Sequence, residues 1–322
     1  MKQRIEELDI TKAIGIIMVV VGHTQLPTFM SNFIWSFHMP LFYIISGIIL
    51  SQKKYTSFKL FLTRKIRTLI IPYIIFSIII FEGYKLLSLP INNHPIQEVI
   101  SGWYGIALWF LPNLFLTELI FFYIMKLNKK LVISILCILA ILGYIIGPGV
   151  VPYKLTTLCP SVCFLGIGYI SSTLYLQIIK NNSLIKIFIF TIITFFISVI
   201  NIPRLDLAWN QIGNPILGYI GGICGTLLVL TFSKNIITLN KTIKKILLYI
   251  GSNTLIILAF HQLILASLKE LSVHYIILQH SLVRFICCII ILYFIIYICN
   301  NYFYFILGTK VSQVKIHKRD LT

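Results

Sequence analysis

Long apolar runs separated by short polar loops recur along all 322 residues. No other feature constrains the fold so tightly, because a run of 18 or more apolar residues reads as a membrane-spanning helix. The predicted spans are 10–26, 31–50, 68–88, 103–125, 131–148, 155–176, 184–201, 214–232, 246–268 and 282–307. Only 11% of the residues are charged, against roughly 25% in a soluble domain, so the chain has too little polar surface to face water. The expected fold is all-α: a polytopic membrane protein of about ten transmembrane helices, with one membrane domain over 1–322. The first apolar run follows a mixed-charge start and precedes no small-residue cleavage site, so it is expected to stay as a helix.

The net charge of +18 would suit nucleic acid, but the basic residues lie between apolar spans and form no stripe on a soluble domain. The lipid bilayer and an anionic cytosolic ligand are the expected partners, and nucleic acid is not. With the N-terminus inside, 21 of the 27 Lys and Arg fall on the cytoplasmic side and five on the other, while Lys12 lies in the first span. That bias predicts a multi-pass cell-membrane protein with both termini cytoplasmic. The segment 53–67 mixes Phe58, Phe61, Leu62 and Ile66 with six basic residues, a pattern for a helix on the inner surface or an ordinary basic loop. The seven cysteines show no CxxC and no His/Cys metal spacing, so they read as packing thiols and no metal is expected.

Ionisable side chains inside spans are costly and mark function by default. Asp9, Lys12 and His23 share a side of the first span, with Lys12 and His23 eleven residues, or roughly 16 Å, apart along the axis. A snorkelling Lys and an interfacial His would also produce this pattern. His38, ahead of a kinking Met39-Pro40, and His261, in Leu258-Ala259-Phe260-His261-Gln262, sit at similar depth in the outer half. The fourth span adds Trp109 in the outer half and Glu118 near mid-membrane. Together they predict a polar chamber entered from outside, with an anion site of Lys12, Arg64 and Arg67 on the inner side. A long ligand with a phosphorylated head and a reactive tip, such as acyl-CoA, fits that layout.

The stretches Arg4-Ile5 … Leu8-Asp9-Ile10-Thr11-Lys12-Ala13 … Val20-Val21-Gly22-His23 and Phe37-His38-Met39-Pro40-Leu41-Phe42 … Ser46-Gly47 resemble the membrane-bound acyltransferase 3 family. So do Arg64 … Arg67 … Ile71-Pro72-Tyr73, Trp109-Phe110-Leu111-Pro112, and Gly251-Ser252-Asn253-Thr254-Leu255 … Phe260-His261. The fucose 4-O-acetylase-like branch is the most similar. The resemblance implies a ten-helix fold that moves an acyl group, usually acetyl, from cytoplasmic acyl-CoA to a hydroxyl of a cell-surface or exported carbohydrate. Lys12 matches the basic residue that precedes the family's catalytic histidine, here His23, with ten residues between. Some members add an extracytoplasmic esterase-like domain, which is not expected here.

On this basis His23 is the expected general base, oriented by Asp9 or Glu118. His38, Trp109 and His261 would position the substrate, and Lys12, Arg64 and Arg67 would hold the CoA phosphates. Acetyl-CoA would be a co-substrate, with no permanently bound cofactor. A covalent acyl-histidine stays open, as do the acceptor sugar and the oligomeric state. The alternative is a glycan-lipid flippase or proton-coupled transporter, which midplane ionisable groups also suit. No inverted repeat favours it.

Overall fold

The computed structural model describes residues 5–53, 55, 57–90, 94, 96–97, 99, 106–149, 152–180 and 183–307. Helices build them, and no strand occurs among the described residues. The first stretch gives α1 (Glu6–Gly22), α2 (Thr28–Trp35), α3 (His38–Ser51), α4 (Phe58–Lys65) and α5 (Ile71–Leu86). Then come α6 (Phe110–Ile124), α7 (Lys129–Ile146), α8 (Leu158–Ile170), α9 (Ser172–Lys180) and α10 (Leu184–Ile200). The last are α11 (Pro215–Leu239), α12 (Lys241–Ser252), α13 (Thr254–Leu271) and α14 (Ser281–Tyr302).

Seven helical stretches are long and apolar enough to cross a membrane, or eight if α8 and α9, bent by 65°, count as one span. Helices α1 and α10, 17 residues each, occupy the two remaining expected positions. The stretches Thr28–Ser51 and Ala107–Ile124 are 72% buried, whereas Lys129–Ile146 is 17% and Ser281–Tyr302 is 28% buried. Central helices are thus wrapped by outer ones that turn Ile138, Ile141, Ile290, Phe294 and similar side chains outward. Only lipid is a fitting solvent for such faces, since every backbone group is already satisfied within the helix.

Three local departures from the expected spans have physical causes. The basic segment before α5 is no separate surface helix: α4 runs through a π-helical turn, Ile66–Ile70, straight into α5. The expected ninth span breaks at Asn253, whose Nδ2 donates to the Tyr249 carbonyl at 2.8 Å and whose Oδ1 accepts from Asn300 Nδ2 at 2.8 Å. Helix α12 before that break carries Lys241, Lys244 and Lys245 beside its apolar face. The second span is interrupted at Ser36–Phe37, with Pro40 in the first turn of α3, where its missing N–H leaves no hydrogen bond unmade. That break makes His38 the first residue of a new helix.

Close backbone packing fixes the central helices. A Cβ on Gly47 of α3 would run into the Leu165 carbonyl of α8, and one on Gly168 into that of Ile44, so small residues let these helices touch. A buried polar network ties the same helices to α6. The Tyr43 hydroxyl donates to Asn113 Oδ1 at 2.6 Å, as does the Ser161 hydroxyl at 3.0 Å. Asn113 Nδ2 in turn donates to the Lys154 carbonyl at 2.9 Å. Fully paired in low dielectric, such a network sets one packing arrangement.

Candidate functional site

The acidic first turn of α1 marks one end of the bundle. Lys234 Nζ is 3.1 Å from Glu7 and Lys244 Nζ is 2.7 Å from Glu6, and these carboxylates also suit the positive end of the helix dipole. Lys12 pairs with Asp9 one turn along, at 2.6 Å. On α4, Phe61 is fully buried, and Lys65 one turn later reaches Glu118 of α6 at 2.5 Å. Arg64 and Arg67 occupy the exposed face of that helix. Lys53, just past α3 and outside the span, has its pKa pushed down to about 8. Desolvation is the main cause, with repulsion from Arg64, Lys65 and Lys12 added and Glu118 pulling the other way. This basic end is therefore crowded with ammonium groups.

The other end centres on histidines. Helix α1 stops at Gly22, and His23 caps it with its N–H on the Val19 and Val20 carbonyls. The His23 ring packs edge-on to Trp35 at 5.8 Å and against His261 of α13 at 5.2 Å between centroids. Trp35 in turn packs edge-on to His38 at 4.9 Å. The Nδ1 of His38 lies 3.1 Å from the Ile34 carbonyl, an acceptor, so that nitrogen carries the proton and Nε2 is bare. His261 is fixed likewise: its Nδ1 lies 2.9 and 3.0 Å from the Ile257 and Leu258 carbonyls.

Gln262 completes the group. Its Oε1 accepts the Ala107 N–H at 2.6 Å, which assigns the amide nitrogen to the side facing His23, 3.3 and 3.4 Å from the two ring nitrogens. A donor there leaves His23 neutral with its lone pair engaged until a substrate hydroxyl arrives.

A cavity of about 130 Å³ lies among these side chains, walled by His23, Trp35, His38, Trp109 and Gln262 and also by Lys154, Asp206 and Trp209. The last three come from connections outside the long helices. Lys154 is buried with its ammonium 4.5 Å from the Trp209 ring centre, a cation–π contact. Asp206 caps the turn Leu207–Trp209 through the Ala208 N–H at 3.0 Å, and burial raises its carboxyl pKa. Thr157 Oγ1 donates to the Leu207 carbonyl at 2.6 Å, lacing the two connections together. Arg204 lies 4.2 Å over Trp35 and donates to Ser31 at 2.6 Å.

A second cavity of about 190 Å³ runs from Lys12 along Ile16, Phe42, Ser46, Thr68 and Leu114. Met39 and Leu258 line both cavities, so these side chains stand between the two. Lys12 and His23 are roughly 16 Å apart along α1.

The structure brings His23, His38, Trp109 and His261 together, and it places Lys12 on the second cavity. Four expected residues stand apart from these cavities. Asp9 is bound to Lys12 and lies fourteen residues, roughly 21 Å, down the helix from His23, so a shared face does not bring them into contact. Glu118 is bound to Lys65 and stands nine residues, roughly 13 Å, from Trp109 along its helix. Neither carboxylate is near His23, whose hydrogen-bonding side chain is Gln262. None of Arg64, Lys65 and Arg67 lines the inner cavity; Lys65 turns inward to Glu118, and the two arginines are exposed. Lys53, Lys65, Lys154, Asp206, Trp209 and Gln262 are thus additions to the expected set. Of these, Gln262 carried a sequence signal as a polar residue inside an apolar run beside His261, and Lys53 and Lys65 as members of the basic segment 53–67.

Among the described residues no group of His, Cys, Asp and Glu is arranged to hold a metal, and the seven cysteines are unpaired thiols. The family model of acyltransferase 3, described as an acyltransferase domain, matches residues 5–308. No protein with a curated description and no solved structure matches the chain significantly. A polytopic helical bundle, a histidine chamber built from the expected motifs and a match over nearly the whole length agree: the chain belongs to the acyltransferase 3 family and is a membrane acyltransferase.

Proposed function

We propose that the protein is an O-acetyltransferase that takes acetyl from cytoplasmic acetyl-CoA and esterifies a hydroxyl of a cell-surface or exported carbohydrate. The observation that carries this is the pair of cavities on either side of Met39 and Leu258, with ammonium groups at one end and His23 at the other. The basic end suits the CoA phosphates, through Lys12, Lys53 and Lys65, with Arg64 and Arg67 at the rim. The narrow apolar passage suits the extended pantetheine arm, which brings the thioester to His23. Trp35, Trp109 and Trp209 around the chamber suit a sugar ring with its apolar faces against aromatics and its hydroxyls toward His23.

In this reaction His23 takes the proton of the acceptor hydroxyl as its oxygen attacks the thioester carbonyl. Collapse of the tetrahedral adduct forms the ester and breaks the C–S bond. The leaving thiolate then takes the proton from His23 and departs as CoA. A general base in this role is worth roughly 10²–10⁴ in rate, and closure against water protects the thioester from hydrolysis. The basic end faces the cytoplasm in this proposal, and the membrane is the cell membrane.

CoA release by the purified protein, with acetyl-CoA and an envelope glycan extract, tests it. Lys12→Ala should raise the KM for acetyl-CoA by roughly 10-fold or more, and Lys12→Arg should restore most of it. A wild-type protein that releases no CoA at millimolar acetyl-CoA, yet moves a glycan lipid across liposomes, would be a flippase instead.

A further inference from the structure

His261 is wholly buried, and its Nε2 has no hydrogen-bond partner. The other ring nitrogen must carry the proton, since it faces only the Ile257 and Leu258 carbonyls. Nε2 is therefore a bare acceptor sealed in the protein, with its ring 5.2 Å from that of His23. A buried acceptor without a partner is rare and calls for an explanation. His23 needs one. Neutral imidazole that takes a proton through one nitrogen presents N–H at the other, and that N–H wants an acceptor most when the ring is cationic.

Among the described residues, Trp35, His261 and Gln262 are the three side chains in ring contact or hydrogen bond with His23. Trp35 has only a donor. Gln262 has its oxygen committed to the Ala107 N–H and offers only N–H. His261 alone of the three has an acceptor to give. We infer that His261 Nε2 is the acceptor for the His23 N–H during acetyl transfer. It holds His23 in the tautomer that leaves a lone pair toward the acceptor hydroxyl, and it stabilises the imidazolium as that ring takes the proton. His261 is thus a positioning residue, and it fills the place the sequence had given to a carboxylate. The two rings are tilted by 48°, and catalytic contacts of this kind tighten when substrate closes the site.

This inference rests on the proposed acetyl transfer, and the two can fail separately. Asn in place of His261 keeps a donor near the Nδ1 position and removes the Nε2 acceptor. Gln places an amide oxygen near Nε2 and loses the Nδ1 anchor. The measurement is CoA release at varied acetyl-CoA with the envelope glycan extract, alongside thermal unfolding of each variant. His261→Asn should lose on the order of 10²-fold in kcat with the KM for acetyl-CoA unchanged, and His261→Gln should recover at least a tenth of wild-type kcat. If Asn is the active variant and Gln the inactive one, His261 is a packing anchor held through Nδ1 and the inference is overturned. A loss carried by KM in both variants overturns it too. Wild-type protein that transfers nothing brings down the acetyl-transfer proposal and this inference with it.

Discussion

Both ends of α1 carry a polar cluster, but they are built on opposite principles. At the basic end charge is met by charge: Glu6, Glu7, Asp9 and Glu118 pair with Lys244, Lys234, Lys12 and Lys65. At the histidine end His23, His38, His261 and Gln262 contact carbonyls, amides and rings, with Arg204 stacked on Trp35 nearby. The first arrangement lies where water and lipid headgroups lower the penalty for ions. The second lies among apolar helices, where an ion without a partner is expensive and a neutral imidazole is not. One end is suited to gripping phosphate, the other to accepting a proton for the length of one transition state. That separation explains why Asp9 and Glu118 stay away from the chamber, whose one acidic wall residue among those described, Asp206, comes from a connection.

Removing the base tests the chemical half of this comparison most sharply. His23→Ala should reduce acetyl transfer by roughly 10²–10⁴ while membrane insertion, thermal stability and the KM for acetyl-CoA stay near wild type. Single-turnover CoA release reads the loss directly. Near-normal turnover would move the base to His38, whose bare Nε2 also faces the chamber wall.

Glu118→Gln asks whether the two ends are as separate as the contacts suggest. The carboxylate is buried and holds Lys65 at 2.5 Å. Losing a charge-assisted contact of this kind costs about 1.5–3 kcal/mol, which a lowered Tm should report. Any kinetic effect should fall on the KM for acetyl-CoA. A collapse of kcat at unchanged Tm would return Glu118 to the chemistry and dissolve the distinction between the ends.

What the sequence made legible, and what it hid, divides along the same line. Apolar run length located the helices, and the motifs around His23, His38, Trp109 and His261 marked residues that do converge. Helical phase misled where axial distance mattered: Asp9 shares a side with His23 but lies roughly 21 Å below it. It misled again on α4, where Arg64 and Arg67 stand three apart on the exposed face. Phe61 and Lys65, four apart, turn inward onto Phe122 and Glu118 instead. Lys154, Asp206 and Trp209 were hidden altogether, because the fold of a connection over a chamber depends on contacts between distant segments, such as Thr157 with Leu207. The break at Asn253 is similar, since its partner Asn300 is 47 residues away.

The smallest expected effect concerns Lys53, whose pKa of about 8 sets it apart from an ordinary lysine at 10.5. Phosphate near this ammonium favours the protonated form, so acetyl-CoA binding should take up a fraction of a proton above pH 8. The KM should therefore rise between pH 7 and 9.5, by roughly three- to tenfold for one such group. Lys53→Arg should flatten that rise, because guanidinium stays charged throughout. The sign of the stability change keeps unfolding from imitating the result. Between pH 8 and 10.5 the unfolded chain holds more of the Lys53 proton than the folded one, so this group makes folding more favourable as pH increases. A KM that climbs with pH while this contribution to stability also climbs does not come from unfolding. A flat KM in the wild type would place the phosphates elsewhere on the basic end, with Lys12 and Lys65 as the remaining candidates.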